Sequence, residues 1–470
     1  MRSVGGALLI GFVLAAGLGA SARQASPPSA PISAAQVEAI LKPRVGDHPG
    51  LGVVVGLIDP SGKRTLVCVG SAGEGTTRAL DADTVFEIGS VTKVFTSALL
   101  ADMVRCGEVS LDDPVAKLLP ASVRVPSKDG RDITLLSLAT HTSGLPRLPG
   151  NFSPKDAGNP YADYTVEQLY QFLGSLQLAR PVGETYEYSN LGAGLLGHAL
   201  ALKLGRSYEA AVTERVLRPL GMKDTAITLP AGMRSRMSVG HTAGGDVTPN
   251  WDLPTLAGAG ALRSTVNDML TFLAANLGSA PPAIRADLES THTPRHDTGK
   301  TGQIGLGWHI RSGKDVEVVW HNGGTGGFHS FAGFDKKARR AVVVLHNSAA
   351  SIDDIGFHLL DAQFPLAAAT PPAKPRVAIR VAAATLETYV GAYALAPTFV
   401  MTVTREGEQL FLQATGQPRF PVFAETETRF FFKVVDAQVT FVKDEAGKVV
   451  ELVLHQGGRD QRARRQEKNN

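Results

Sequence analysis

Two β-branched apolar runs, Leu51 to Asp59 and Lys63 to Val69, stand near the start of the chain. Between them Asp59-Pro60-Ser61-Gly62 supplies turn chemistry, so the pair reads as an antiparallel hairpin. Strand-like runs return at Val316 to Trp320, His329 to Phe334 and Ala341 to His346. From Ser90 to about Leu270 the text is mostly helical with long loops. Thr165-Val166-Glu167-Gln168 fits a capping box, and Thr265 with Asp268 resembles a second helix start. A helix-like stretch near Ala34 to Leu41 precedes the hairpin. Strands, then helices, then strands imply an α+β fold: one antiparallel sheet closed by both ends of the segment, flanked by helices, with a helical region inserted.

The chain has 470 residues, too many for one compact domain. Pro371, Pro372 and Pro375 lie among alanines and mark a linker over residues 366–380. Beyond it, Phe399 to Thr404, Gln409 to Gln413, Arg429 to Val434, Gln438 to Val442 and Val449 to Leu454 are short β-rich runs with turns between them. They indicate a small all-β, barrel-like domain over 381–458. Residues 459–470 read as a basic, disordered tail. At the other end, Arg2, the apolar run Val4 to Leu18 and Ala20-Ser21-Ala22 compose a secretory signal peptide over 1–22. The apolar run is short and glycine-rich for a membrane anchor. A flexible leader, 23–33, follows, and the main domain spans 34–365. This places the protein in the periplasm or outside the cell, without a transmembrane anchor once the signal is removed. Cys68 and Cys106 are expected as two unpaired, partly buried thiols. The formal net charge of +3 gives no argument for nucleic-acid binding, and the oligomeric state is not assigned.

Three short motifs carry chemistry. Ser90-Val91-Thr92-Lys93 precedes a helix-like run. If Ser90 begins that helix, Ser90 and Lys93 share a face, and the hydroxyl sits at the positive end of the helix dipole. A desolvated lysine there can take the hydroxyl proton; a capping serine with a solvated lysine is the plain alternative. Tyr188-Ser189-Asn190 lies at a loop-to-helix junction. A nearby cationic lysine would favour the phenolate of Tyr188 as a proton shuttle, and Asn190 could orient Lys93 and a substrate amide; the plain alternative is a packed tyrosine with a helix-capping asparagine. The third, Trp320-His321-Asn322-Gly323-Gly324-Thr325-Gly326-Gly327, ends one strand-like run before another. Its glycines allow close approach of a substrate and backbone N–H groups aimed at an oxyanion, unless it is merely a Gly-rich loop with an ordinary histidine.

In order and separation, Ser90-x-x-Lys93, Tyr188-x-Asn190 and His321-Asn322-Gly323 resemble the three motifs of class C β-lactamases and the related D-alanyl-D-alanine carboxypeptidases and esterases. His141-Thr142-Ser143-Gly144-Leu145-Pro146, Pro219-Leu220-Gly221-Met222-Lys223-Asp224-Thr225 and Gly305-Leu306-Gly307-Trp308 are similar to family text as well. The resemblance covers about Ala34 to Phe364, and the part after Leu386 is similar to a small β-barrel appended to some members. It implies that Ser90 is acylated, that Lys93 and Tyr188 move protons, and that Asn190 holds the substrate amide and Lys93. It further implies an oxyanion hole from the N–H groups of Ser90 and Gly324, a carboxylate side of the pocket lined by His321 and Asn322 next to Gly323, and no metal or organic cofactor. The substrates implied are β-lactam amides or peptidoglycan-type D-Ala-D-Ala peptides. One departure stands out: class C β-lactamases carry Lys-Thr-Gly at the third motif, and histidine there removes a fixed positive charge at neutral pH.

Other readings are poorer. No serine sits in the lipase-type G-x-S-x-G pattern. His292 and His296 are four apart, but Pro294 breaks a helical metal spacing, so they read as surface loop residues. A receptor that is acylated by β-lactams without turnover, an esterase or D-amino-acid peptidase on the same scaffold, and a structural cell-wall protein working through its β domain all remain as alternatives.

Overall fold

The computed structural model describes residues 32–466, apart from 77, 300–301, 314–315, 370–377, 397–398, 418, 434–436 and 457–458. The expected signal peptide, nearly all of the leader, most of the linker and residues 467–470 therefore lie outside the described residues.

The central sheet has eight antiparallel strands. In chain order they are β1 (Gly52–Ile58), β2 (Arg64–Gly70), β3 (His296–Asp297), β4 (Gln303–Ile304), β5 (His309–Ser312), β6 (Glu317–Gly324), β7 (His329–Asp335) and β8 (Arg340–His346). In space the order is β2-β1-β8-β7-β6-β5-β4-β3, so the first strand pairs with the last, Val53 opposite His346. The sheet closes only after the whole helical region has been made, as the spacing of the strand-like runs predicts.

All of β1 is buried because both faces of the sheet are covered. Val53, Val55 and Leu57 pack with Val37 and Leu41 of helix α1 (Ala34–Val45) and with Ile355. Val54 and Ile58 face the larger core beneath the buried helix α2 (Thr92–Arg105). Alternation along one strand thus feeds two separate cores. Gly56 has to be glycine: a Cβ there would come within 2.6 Å of Val266 on a helix crossing the sheet. The capping signals hold too. Thr165 and Gln168 form a reciprocal box opening helix α3 (Val166–Ser175). After helix α4 (Asn190–Leu204), the Thr265 side chain accepts from the Asp268 N–H at the start of helix α5 (Val266–Ala274). Helix α6 (Asp353–Leu360) completes the cover of the second face.

The C-terminal part is a closed eight-stranded barrel, β9 to β16: Gly391–Ala396, Phe399–Glu406, Gln409–Ala414, Arg419–Ala424, Arg429–Phe432, Ala437–Lys443, Val449–Gln456 and Arg459–Arg465. Side chains fill it, with Phe441 stacked 4.2 Å from Tyr389. The basic run from Arg459, expected as a disordered tail, is in fact the closing strand β16, paired with both β15 and β9. Ala463 is its fully buried residue, while Arg462 and Arg465 find partners. Arg462 reaches Glu451 at 2.8 Å, and Arg465 donates to the carbonyls of Thr388, Val449 and Val390. Closure leaves no open sheet edge.

Two further expectations change. Cys68 and Cys106 are unpaired but exposed: Val67 takes the inward position beside Cys68, and Cys106 lies beyond the last buried residue of α2. His292 is not a surface residue. It is buried, its Nε2 lies 2.6 Å from Asn276 Oδ1, and its ring packs against Phe334 at 4.9 Å. No helix among the described residues is long and apolar enough to cross a membrane.

The closing strand is testable by urea unfolding of the full chain. Ala463→Asp places an unpaired charge in the barrel and should cost about 3 kcal/mol or more. Arg462→Ser, at an exposed ion pair, should cost less than about 1 kcal/mol. Equal, small effects would contradict the strand assignment.

Candidate active site

The site forms where α2 begins, under the end of β6. A two-residue strand, Phe86–Glu87, leads through Ile88 and Gly89 into a single 3-10 turn holding Ser90, and α2 follows. Gly89 adopts a left-handed φ of 47°, and a Cβ on it would meet Gly324 N at 2.9 Å. A Cβ on Gly323 would lie 2.0 Å from Ile88 O and 2.9 Å from Ser90 N. Gly323 on one side and Gly89 on the other therefore let the end of β6 lie backbone to backbone against the serine turn. Ser330 Oγ, on β7, donates to Ile88 O at 2.8 Å and holds the turn from below. Beneath it again, buried Glu87 accepts from Trp251 N at 2.9 Å and faces Arg263 at 3.3 Å.

One turn after Ser90, at the start of α2, Lys93 points back at the serine. Its Nζ lies 2.9 Å from Ser90 Oγ, 2.9 Å from Asn190 Oδ1 and 2.7 Å from the Ala259 carbonyl. Lys93 is 2% exposed. Burial, with the Arg147 charge adding to it, drives the amine well below its ordinary pKa. The half-buried Tyr188 ring stands 4.8 Å from that Nζ. Burial pushes its phenol up to about 12, against a hydrogen bond with Ser90 and the Arg147 charge, both of which lower it. Burial therefore works against the expected phenolate: it holds the phenol's proton on and weakens the lysine's hold on its own.

Ser189, not Asn190, caps α4. Its hydroxyl accepts from Gly192 N and donates to the Pro146 carbonyl. Asn190 is left free to use both ends of its amide: Oδ1 accepts from Lys93, and Nδ2 donates to Tyr161 Oη at 3.1 Å. His321 is fully buried. Its Nδ1 contacts its own neighbour's carbonyl, Asn322 O, at 2.5 Å, and its ring lies 6.3 Å from Tyr188. Burial, then the charges of His309 and Lys93, keep it neutral. Asn322 points to the opposite face of the sheet, as strand alternation requires, and donates to Asp353 on α6 at 2.6 Å. The structure thus gathers Ser90, Lys93, Tyr188, Asn190, His321, Gly323 and Gly324 in one place and turns the Asn322 amide away to Asp353.

Sequence reasoning missed several neighbours. His141 has a left-handed φ of 57°, accepts from Ser189 N, and lies 4.6 Å from the Tyr188 ring. His309, held down to about pKa 4 by burial, stands 5.2 Å from His321. Arg147 places its guanidinium 5.1 Å from the Tyr188 ring centre. The run His141 to Pro146, noted only for its family likeness, was the available signal for His141 and for Arg147 directly after it. Tyr161 gave none. Among the described residues no group of three or more His, Cys, Asp or Glu is set to hold a metal ion.

A serine hydroxyl against a desolvated amine, with a phenol alongside and glycine backbone packed above, is an arrangement suited to acyl transfer. The family profile described as Beta-lactamase matches residues 37–363, and one described as a domain of unknown function (DUF3471) matches 375–467. The D-alanyl-D-alanine-carboxypeptidase/endopeptidase AmpH of Escherichia coli (strain K12) is 31% identical over 344 residues, covering 69% of this chain and 86% of that protein. Penicillin-binding protein 4* of Bacillus subtilis (strain 168) is 26% identical over 416 residues, covering 82% and 88%. The crystal structure of a class C β-lactamase from Rhodobacter sphaeroides is similar with a TM-score of 0.60 at 26% identity, covering 70% of this chain and 98% of that one. On this evidence the chain is a serine hydrolase and belongs to the β-lactamase family, which includes penicillin-binding proteins and D-alanine carboxypeptidases.

Proposed function

We propose that this protein is an exported hydrolase that works through an acyl-serine at Ser90, on β-lactam amides and D-Ala-D-Ala-type peptides. The observation that carries this reading is the 2.9 Å contact between Ser90 Oγ and the buried amine of Lys93, whose pKa that burial lowers. The family relatives support the substrate classes by their names. Export rests on the signal-like sequence of residues 1–22, and the periplasm or the outside of the cell is the matching location.

The neutral Lys93 amine takes the hydroxyl proton as Ser90 Oγ bonds to the substrate carbonyl carbon. The negative charge gathered on the carbonyl oxygen is met by the N–H groups of Ser90 and Gly324, on two segments that run together with no side chain between them. As the carbon–nitrogen bond breaks, the Tyr188 phenol gives its proton to the leaving nitrogen and recovers one from Lys93. Water then attacks the acyl-serine, its proton passes back through the same groups, and Ser90 is released as the alcohol. Asn190 keeps the lysine aimed throughout. A second reading, an esterase or D-amino-acid peptidase, is favoured by one observation: His321 is neutral, so the third motif offers no fixed cation to a β-lactam carboxylate.

Incubating the mature protein with a fluorescent penicillin and following intact mass should show a single adduct on the wild type and none on Ser90→Ala. A chromogenic cephalosporin and a D-Ala-D-Ala peptide assayed alongside assign the turnover. An adduct of equal size on Ser90→Ala would refute the nucleophile. Absence of any adduct, with Ser90-dependent ester or D-amino-acid peptide cleavage, would establish the second reading.

Lys93 gives a pH signature. Its folded pKa lies below the unfolded value, so kcat/KM should rise with pH as the amine loses its proton and then level off. Lys93→Met should lose that limb and about a hundredfold to ten-thousandfold in acylation rate. Between the lowered folded pKa and the unfolded 10.5, the unfolded chain holds a proton that the folded one lacks, so stability rises with pH across that window. Lys93→Met should therefore melt at a higher temperature than the wild type at pH 7, and the gap should shrink towards pH 10. A gap independent of pH would contradict the buried-amine account.

A further inference from the structure

The wall of the site formed by the third motif offers an anion no permanent partner. His321 is buried and neutral, and its Nδ1 is committed to a backbone carbonyl. The Asn322 amide is committed to Asp353, whose other oxygen lies 3.0 Å from His329 Nε2. Lys93 does not fill the gap, because its amine is enclosed and already engaged with Ser90 Oγ, Asn190 Oδ1 and the Ala259 carbonyl.

The Tyr188 side of the site differs. Arg147 is exposed, with its guanidinium carbon 5.1 Å from the Tyr188 ring centre, close to the 4.8 Å at which Lys93 Nζ stands from the same ring. Its backbone is held firmly: the Arg147 carbonyl accepts from Asn190 N at 3.0 Å and from Leu191 N at 3.2 Å, which ties it to the helix start that aims Asn190. Its side chain makes no ion pair and no hydrogen bond among the described residues. Arg215, by contrast, is braced by Asp102 and Glu108, and Arg263 by Glu87 and Asp252. The Arg147 charge is felt by Lys93, Tyr188, Tyr161, Tyr186 and His141 alike, so it lies within the electrostatic field of the whole site.

We propose that Arg147 is a specificity-determining residue: a fixed cation, brought in from the Tyr188 side, that selects acyl donors bearing a free carboxylate. Stacking over an aromatic ring uses the face of the guanidinium and leaves its edge, with paired N–H donors, open to a carboxylate in a two-bond fork. Arginine stays charged across the working pH range, which the neutral imidazole of His321 does not. The substrate's carboxylate is accordingly recognised from the Tyr188 side and not by the motif that, by sequence, was expected to recognise it.

This inference rests on the acyl-serine reading, and the test keeps the two apart. We would measure kcat/KM for an N-acylated D-Ala-D-Ala peptide with a free carboxylate and for the same peptide as its C-terminal amide, with a neutral nitrophenyl ester as a third substrate. The quantity read is the ratio of charged to amidated peptide within each variant, so that any loss of folding or of general activity cancels. Arg147→Met should lower that ratio by about tenfold or more, mostly through KM, and Arg147→Lys should recover part of it. An unchanged ratio in Arg147→Met, with wild-type turnover of the ester abolished by Ser90→Ala, would overturn the role of Arg147 while leaving the hydrolase reading intact. Ester turnover that survives Ser90→Ala would overturn the hydrolase reading and this inference together.

Discussion

Everything in this site hangs on a lysine amine that has been taken out of water. Lys93 is almost wholly enclosed, and its Nζ meets three oxygens from three different parts of the chain, on Ser90, Asn190 and Ala259. Burying an ammonium is costly, and an interior that satisfies its hydrogen bonds without offering a carboxylate favours the neutral amine. That single condition gives the serine a base, leaves Tyr188 as a phenol able to donate, and destabilises the fold at neutral pH where an apolar side chain would not. Function and instability here have one origin.

The fold exists to hold that contact. The central sheet is closed by β1 against β8, and the segment between them supplies the serine helix α2, the tyrosine–asparagine turn before α4 and, at its end, β6. The last of these must approach the serine turn without side chains in the way, which is why glycine occupies position 323, and position 89 opposite Gly324. Buried Glu87 and Arg263 brace the strand that precedes the nucleophile, so the turn sits on a charged pair rather than on a soft loop.

Much of this was legible in the amino-acid order. Strand-like runs at both ends of a helical segment are enough to imply the sheet, and Ser90 with Lys93 at helical spacing is enough to imply their contact. What escaped had physical reasons. The ionisation of Tyr188 depends on desolvation, which no local pattern displays. Tyr161 and Arg147 reach the site from loops, where side-chain direction follows from tertiary packing and not from any period. Strand β16 escaped because its fully buried position is an alanine among arginines, so the alternation that announces a strand carries almost no hydrophobic contrast. His292 was misread for a similar reason: its imidazole is accommodated by Asn276, which is sixteen residues away along the chain.

The most direct test of the account is the protonation state of Lys93 itself. With lysine labelled at the ε-carbon, and with Lys93→Met used to assign the signal, an NMR titration of the folded protein reads its ionisation without reference to any substrate. The account requires the Lys93 signal to titrate well below the ordinary lysine value of 10.5, apart from the exposed lysines. A Lys93 signal that titrates together with the rest would mean an ammonium beside Ser90, and the amine could not be the base.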